Sequence, residues 1–292
     1  MIPGEVLRKI RKIQITTSRM VTDVFAGQYQ SVFKGSGIEF SEVRKYLPGD
    51  EIRSIDWNVT ARMGEAYVKK FIEERELTVM LLLDASGSCH FGSTKQLKAE
   101  CAAELCSILA FSAIRNNDKV GLIIFTDRIE KFIPPRKGLR HVLRVIREAL
   151  YFKPEGRGTD ITNAVEYLNR VMKRKAIAFV ISDFLDKGFK KTLSVSNKRH
   201  DIVAISITDP REMELPDIGI ARFGDRETGE GFSVDTGDAS FRKRYKDEAL
   251  RREAGRKKLL RSINVDSINI RTDEPYTVEL VKFFKARERR SR

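Results

Sequence analysis

The sequence contains few of the residues that build disulfide-rich, collagen-like or disordered chains. Among its 292 residues there are 3 cysteines, 8 prolines and 19 glycines, against 41 % hydrophobic residues. An odd number of clustered cysteines supplies neither a disulfide framework nor a complete zinc site. The apolar content excludes collagen-like and mostly disordered chains. Cys101 and Cys106 lie in an alanine-rich stretch, so we expect them to be buried as small hydrophobic side chains.

Long hydrophobic runs are also missing. The apolar runs are of strand length and fall short of the roughly 18 residues that a transmembrane helix needs. The N-terminal residues lack the continuous apolar core and small-residue cleavage site of a signal peptide. We therefore expect a cytoplasmic protein with no transmembrane segment.

The chain carries an excess of positive charge. Its 55 Lys and Arg residues outnumber 41 Asp and Glu residues, for a net charge of +14, and the excess is concentrated in 241–262 and after Lys282. Such a footprint suits nucleic acid, an anionic membrane or an acidic protein. Few aromatic residues interleave with these bases, unlike in single-strand binders. A solvated helical face is the favoured interpretation, and nucleic acid is not the expected partner.

Apolar runs of strand length alternate with stretches of helical periodicity through the middle of the chain. The predicted strands are 78–84, 119–125, 176–183 and 201–207, and the predicted helices are 94–116, 138–150, 160–173 and 187–198. This alternation predicts an α/β fold with a doubly wound, mainly parallel sheet. A polar β-hairpin insertion at about 218–236, a basic helix over 238–262, a strand over 266–271 and a helix over 276–287 follow.

The first quarter of the chain has a different character, which predicts an N-terminal segment over 1–76 and an α/β domain over 77–292. A basic helix is expected over 4–26, an irregular stretch over 27–63 and an exposed strand from Ala66. Charges of alternating sign in this segment, such as Arg44 and Asp50, could pair with one another. Trp57, the only tryptophan, is expected to anchor packing between this segment and the sheet, and a surface for a protein partner is the alternative.

Oxygen-bearing side chains are placed where three predicted elements meet. Two buried strands end in Asp84 and Asp183, Ser86 and Ser88 follow the first, and Thr159 lies in a glycine-rich loop before a helix. The carboxyl ends of parallel strands share one edge of the sheet, where such folds bind ligands. Hard cations prefer this all-oxygen set. The sequence thus predicts an Mg²⁺ or Mn²⁺ site, although each hydroxyl alone could be a turn or cap residue.

The pattern Asp-x-Ser-x-Ser, then a loop threonine, then a strand-end aspartate resembles the metal-ion-dependent adhesion site of von Willebrand factor A domains. The resemblance covers residues 77 to about 288. It implies that Ser86, Ser88 and Thr159 bind Mg²⁺ directly or nearly so, and that Asp84 and Asp183 act largely through water. It also implies one open coordination position, which an Asp or Glu of a partner fills, so the site is adhesive rather than catalytic.

The stretch before the first buried strand narrows this resemblance to one bacterial family. The stretch is Gly37-Ile-Glu39-Phe40-Ser-Glu-Val-Arg44-Lys-Tyr46-Leu-Pro48-Gly49-Asp50-Glu-Ile-Arg53-Ser-Ile-Asp56-Trp57-Asn-Val-Thr60-Ala61-Arg62. It closely resembles the bacterial domain-of-unknown-function family DUF58. Members are often encoded beside MoxR-type AAA+ ATPases, so the resemblance implies such an ATPase as partner, in complex assembly or maturation.

Two other functions compete with a non-enzymatic binding module. One is an Mg²⁺-dependent hydrolase with Ser86 or a metal-bound water as nucleophile. It lacks a convincing general base, because Asp160 is expected to cap a helix and His90 lies beyond the hydroxyls. The other is a basic scaffold that binds nucleic acid or membrane through 241–262. We expect no catalytic residues, and we expect His141 and His200 to be satisfied side chains.

Overall fold

The computed structural model describes residues 39–72, 76–94, 96–224, 227 and 229–291. The described residues up to Leu77 form one compact unit, and those from Thr78 onward form another. The predicted helix over 4–26 lies outside the described residues. Within the described part of the chain, every helix is too short or too polar to cross a lipid bilayer.

The smaller unit is a two-stranded sheet with a short helix. Its elements are β1 (Glu39–Lys45), a 3-10 turn (Ile52–Ser54), α1 (Trp57–Met63) and β2 (Tyr67–Ile72). The strands pair antiparallel. Asp56 caps α1, because its Oδ1 accepts hydrogen bonds from the backbone N–H groups of Asn58 and Val59 at 3.0 and 3.3 Å. The strand predicted from Ala66 is confirmed, whereas the irregular stretch predicted over 27–63 is wrong where β1 and α1 form.

Two side-chain predictions concern this unit. Arg44 and Asp50 do pair, in a bidentate contact with Nη–Oδ distances of 2.8 and 2.7 Å. Trp57 begins α1 and is 67 % exposed. Trp57 therefore packs little within its own unit, and its packing against the sheet stays a prediction.

The larger unit alternates strands and helices. The strands are β3 (Thr78–Asp84), β4 (Lys119–Phe125), β5 (Ile129–Arg136), β6 (Ile177–Ser182), β7 (Asp201–Thr208), β8 (Ile220–Gly224), β9 (Gly231–Asp235) and β10 (Asp266–Arg271). The helices are α2 (Lys98–Arg115), α3 (Leu139–Tyr151), α4 (Ile161–Val171), α5 (Lys190–Asn197), α6 (Pro210–Met213), α7 (Ala239–Ser262) and α8 (Tyr276–Ser291). A 3-10 turn (Gly87–His90) follows β3.

Six strands form the central sheet in the order β10-β7-β6-β3-β4-β5. Five of them run parallel, and β5 pairs antiparallel with β4 at the edge. The chain moves from β3 to β4 on one side and later returns to β6 on the other side of β3. The ends of β3 and β6 therefore form a topological switch point, the usual ligand crevice of such sheets. The predicted doubly wound, mainly parallel fold is confirmed.

Helices cover both faces of this sheet. On one face, Met80 and Leu82 of β3 pack in a cluster with Ile161 and Val165 of α4 and Leu193 of α5. On the other face, α2 contacts β3, β4 and β7. Each fully buried aliphatic side chain contributes roughly 1.5–3 kcal/mol. This two-sided burial explains why the four central strands are continuous apolar runs rather than alternating ones.

The sequence pattern missed one strand of the sheet. β5 contains Pro134 and Pro135, and proline cannot donate to a strand ladder. The strand forms because it lies at the sheet edge, where one row of N–H groups has no partner strand. The hairpin of β8 and β9 is a separate two-stranded antiparallel sheet, as predicted. Cys101 and Cys106 are buried and unpaired, as expected.

Candidate metal centre

Asp84 is held rigidly at the carboxyl end of β3. Its side chain belongs to a residue that is only 1 % exposed. Oδ1 accepts a hydrogen bond from the backbone N–H of Ser86 at 2.9 Å, and Oδ2 accepts one from the Ser182 hydroxyl at 2.5 Å. Burial, together with the negative charge of Asp183, raises the pKa of Asp84 to about 7. A cation beside this carboxylate would offset the cost of burying it.

The hydroxyls of Ser86 and Ser88 face each other beside this carboxylate. Their Oγ atoms are 3.1 Å apart, and Ser86 is fully buried. Neighbouring ligands of octahedral Mg²⁺, each about 2.1 Å from the ion, are separated by about 3.0 Å. Cys89 packs beneath the loop, and burial raises the pKa of its thiol well above the ordinary value, so it remains an inert filler. The pair of hydroxyls therefore fits two adjacent positions of such an ion.

The loop that carries Thr159 is joined to the serine loop through the backbone. The N–H of Gly87 donates to the carbonyl of Arg157 at 2.8 Å. Asp160 caps α4, as expected from the sequence. The hydroxyl of Thr159 donates to Oε1 of Glu227, in the β8–β9 turn, at 3.1 Å. The structure thus brings the threonine loop to the serine loop, and it places a carboxylate of the same chain against Thr159.

Asp183 is bound to a buried lysine. It follows β6 at the switch point and is 3 % exposed. Nζ of Lys98, which is 1 % exposed, donates to Asp183 Oδ2 at 2.8 Å and to Glu212 Oε1 at 2.6 Å. Burial opposes the charge on Lys98, but the two carboxylates outweigh it and raise the pKa of the ammonium above its ordinary value. The other carboxylate oxygen of Asp183, Oδ1, accepts a hydrogen bond from the backbone N–H of Leu185 at 3.2 Å.

Sequence reasoning missed Lys98, Ser182 and Glu212. Lys98 carried a usable signal, because it precedes Cys101 and Leu105 by three and seven residues and so shares the inward face of the predicted helix. A lysine on an apolar face needs a buried acid as partner. Glu212 carried no comparable signal, because it joins the site only through the position of α6.

The donor set suits a hard cation. It comprises the carboxylates Asp84 and Asp183 and the hydroxyls Ser86, Ser88 and Thr159, so all the candidate ligands are oxygens, as Mg²⁺ and Mn²⁺ prefer. Among the described residues, no three His, Cys, Asp or Glu side chains converge as a metal-binding group. A site for soft or borderline metals such as zinc does not fit these residues.

The family follows from comparison with known proteins. A family model described as "Protein of unknown function DUF58" matches residues 42–255. An uncharacterized protein of Mycobacterium tuberculosis is 30 % identical over 285 residues, which cover 96 % of this chain and 89 % of that protein. The chain belongs to this family. Uncharacterized protein YeaD of Bacillus subtilis is 22 % identical over 187 residues, 64 % of this chain and 45 % of that protein.

Solved structures with weaker likeness include two from Bacteroides. An aerotolerance-related membrane protein from Bacteroides fragilis is 18 % identical, with a TM-score of 0.49, and covers 73 % of this chain and 99 % of that one. BatB from Bacteroides thetaiotaomicron is 17 % identical, with a TM-score of 0.46 and the same coverage of both chains. The SpRpn10 VWA domain is 14 % identical, with a TM-score of 0.38, and the match covers 70 % of this chain and 94 % of that one. The fold assignment rests on the sheet topology rather than on these likenesses.

Proposed function

We propose that this DUF58 protein is a non-enzymatic module that binds an Asp or Glu side chain of a protein partner through Mg²⁺ or Mn²⁺. One observation carries the proposal: two serine hydroxyls 3.1 Å apart adjoin a buried aspartate at the switch point of the sheet. When bound, the ion would supply the positive charge that attracts a carboxylate. The residues that would hold it are Asp84, Ser86, Ser88, Thr159 and Asp183.

The surface beside the serine loop suits an acidic partner. A cavity of about 580 Å³ is lined by Gly87 and His90 on one side and by Lys153, Glu155 and Arg157 on the other. Basic side chains outnumber acidic ones in this lining, which favours approach of negative charge. The family resemblance makes a MoxR-type AAA+ ATPase the proposed source of the carboxylate.

The side chains around the hydroxyls support binding rather than hydrolysis. A general base must lie within hydrogen-bond distance of the nucleophile it activates. The Nδ1 atom of His90 lies 3.3 Å from the carbonyl oxygen of Ser86, not against its hydroxyl. Asp160 is committed to capping α4. These contacts favour the binding module over a serine or metal-water hydrolase.

Contacts within the protein also weigh against the basic helix as a nucleic-acid site. In α7, Lys246 binds Glu214 at 2.9 Å, and Lys257 binds Glu253. Arg256 donates to the carbonyl of Asp183 at 3.1 Å. Bases that are already paired within the chain contribute less to phosphate binding than solvated ones.

Metal binding is tested by calorimetric titration of MgCl₂ and MnCl₂. Asp84→Asn and Ser86→Ala are expected to lose the binding heat that the wild type shows, because the first removes a negative charge beside the ion and the second removes a hydroxyl ligand, with little change in side-chain volume. Asp127→Asn is the matched control, since Asp127 lies at the same edge of the sheet and is 53 % exposed. Equal heats in the wild type and Asp84→Asn would overturn the proposed site.

Partner binding is tested with the purified MoxR-type ATPase from the same organism by biolayer interferometry. A chelator is unsuitable, because the ATPase needs Mg²⁺ for its own nucleotide, so the comparison uses Ser86→Ala at constant Mg²⁺. We expect at least tenfold weaker binding for Ser86→Ala and unchanged binding for Asp127→Asn. Turnover of phosphoesters or acyl esters that disappears in both Ser86→Ala and His90→Ala would instead favour the hydrolase.

A further inference from the structure

A second cavity shares a residue with the candidate metal centre. It has a volume of about 370 Å³ and lies between the β8–β9 hairpin, α7 and the loop after β6. Asp183 forms part of its lining, so it opens directly beside the proposed ion. Its walls are of two kinds. Leu185, Met213, Phe223 and Phe232 form an apolar wall. Arg252 and Arg256 of α7 form a charged wall together with Asp183, Glu212 and Glu253.

The apolar wall is unusually open to solvent for side chains of this size. Leu185 is 51 % exposed and Phe232 is 59 % exposed. The rings of Phe223 and Phe232 stack with their centroids 6.1 Å apart and an interplanar angle of 25°. Exposed large apolar side chains around a concave surface mark a binding site more often than scattered single ones do. The wall is shaped to receive a bulky apolar group.

The charged wall has a hydrogen-bond donor without an acceptor. Nε of Arg256 is buried and has no hydrogen-bond partner among the described residues. A buried guanidinium N–H left without an acceptor costs free energy, which a carboxylate can recover by a charge-assisted hydrogen bond. Arg252 lies one helical turn earlier and is exposed, so the two guanidiniums border the same cavity. The carboxylates of Asp183, Glu212 and Glu253 line the same cavity, so the exposed Arg252 is the group that an incoming carboxylate reaches.

We infer that the 370 Å³ cavity binds the bulky apolar side chain of an acidic peptide segment, next to the Asp or Glu that the metal centre captures. The inference rests on the proposed function and adds to it the kind of sequence that the partner presents. The apolar wall takes a Phe-, Leu- or Met-sized side chain, and a further carboxylate of the same segment reaches the exposed Arg252. The net charge of +14 favours approach of such a segment.

Selection from a displayed library of random peptides, in the presence of MgCl₂, tests this inference without a known partner. The wild type is expected to enrich peptides in which an acidic residue adjoins a bulky apolar one. In Leu185→Gln, the acidic residue should remain enriched and the apolar preference should disappear. Val195→Gln is the matched control, because Val195 is 60 % exposed on α5 and outside the cavity.

Affinity is then measured with a fluorescent peptide of the most enriched sequence. Replacing its bulky apolar residue by alanine should weaken binding to the wild type roughly tenfold to a hundredfold, as loss of a buried large side chain does. The same replacement should have little effect on binding to Leu185→Gln. Arg252→Glu should weaken binding, whereas Arg251→Glu, on the same helix and outside the cavity lining, should not.

Failure of this inference is distinguishable from failure of the proposed function. Enriched peptides that share an acidic residue but no apolar neighbour overturn the role of the cavity and leave metal-dependent binding intact. Peptides that bind Asp84→Asn as tightly as the wild type, or an absence of enrichment with the wild type, overturn both.

Discussion

The buried lysine beside the candidate metal centre leads to a quantitative prediction. Lys98→Met keeps most of the side-chain volume but removes a charge that contacts Asp183 at 2.8 Å and Glu212 at 2.6 Å. With an effective dielectric constant of 20, a charge pair at 2.8 Å attracts by about 6 kcal/mol. Removal of the ammonium also ends the cost of burying it. Removing one partner of a buried ion pair lowers the free energy of unfolding by about 3–5 kcal/mol in total.

We expect Lys98→Met to lower the free energy of unfolding by this amount. Urea unfolding followed by far-UV circular dichroism measures the change, and with an m-value near 3 kcal/mol/M the midpoint should fall by about 1 M or more. Glu212→Gln should cost less, because Glu212 has a side chain that is 26 % exposed and glutamine still accepts a hydrogen bond. In this second variant Lys98 keeps its contact with the Asp183 carboxylate.

The matched control is Lys191→Met, on the exposed side of α5. A surface lysine away from such contacts contributes within about 0.5 kcal/mol. If Lys98→Met and Lys191→Met unfold at the same urea concentration, the ammonium does not stabilise Asp183 as described. Addition of MgCl₂ should restore more stability to Lys98→Met than to the wild type, because the remaining carboxylates then attract a cation without competition from the lysine.

Three further predictions concern other parts of the larger unit. Burial and the nearby Arg199 charge lower the pKa of His200 from 6.5 to about 4. Because the unfolded state then binds the proton at a higher pH than the folded state, the free energy of unfolding should fall by up to about 1.4 kcal/mol per pH unit between pH 6.5 and 4. Gly121→Ala should cost about 1–3 kcal/mol in thermal unfolding, because its Cβ would lie 2.6 Å from Met80 Sδ. Glu227→Gln should strengthen binding of an acidic peptide several-fold, measured by anisotropy, because it removes a competing carboxylate beside the proposed metal.

Each of these predictions has its own control. For the pH dependence, His200→Gln should lose the steeper fall in the free energy of unfolding between pH 6.5 and 4. Equal slopes in the wild type and His200→Gln would contradict the buried neutral imidazole. For the glycine, Gly255→Ala in α7 meets no atom within 4 Å and should stabilise the helix by about 0.5–1 kcal/mol. Unchanged peptide affinity in Glu227→Gln would show that this carboxylate does not compete for the site.

Short-range pattern was enough to predict most strands and helices of the larger unit. Burial on both sheet faces requires continuous apolar runs in β3, β4, β6 and β7, and such runs can be seen in the sequence itself. The family was also evident from the sequence, because the stretch around Pro48-Gly49-Asp50 is long and unusual. Elements that depend on their neighbours were missed. β5 forms at an edge that accepts prolines, and β1 forms only by pairing with β2.

The candidate site also combines residues that the sequence predicts with contacts that only the tertiary structure creates. Asp84, Ser86, Ser88, Thr159 and Asp183 were predicted because each lies at the end of a recognisable strand or before a recognisable helix, and the metal itself remains a prediction. The contacts of Lys98 with Asp183 and of Thr159 with Glu227 join residues 85 and 68 positions apart. A local pattern holds no information about such pairs, because the order of strands in the sheet and the path of the hairpin bring them together.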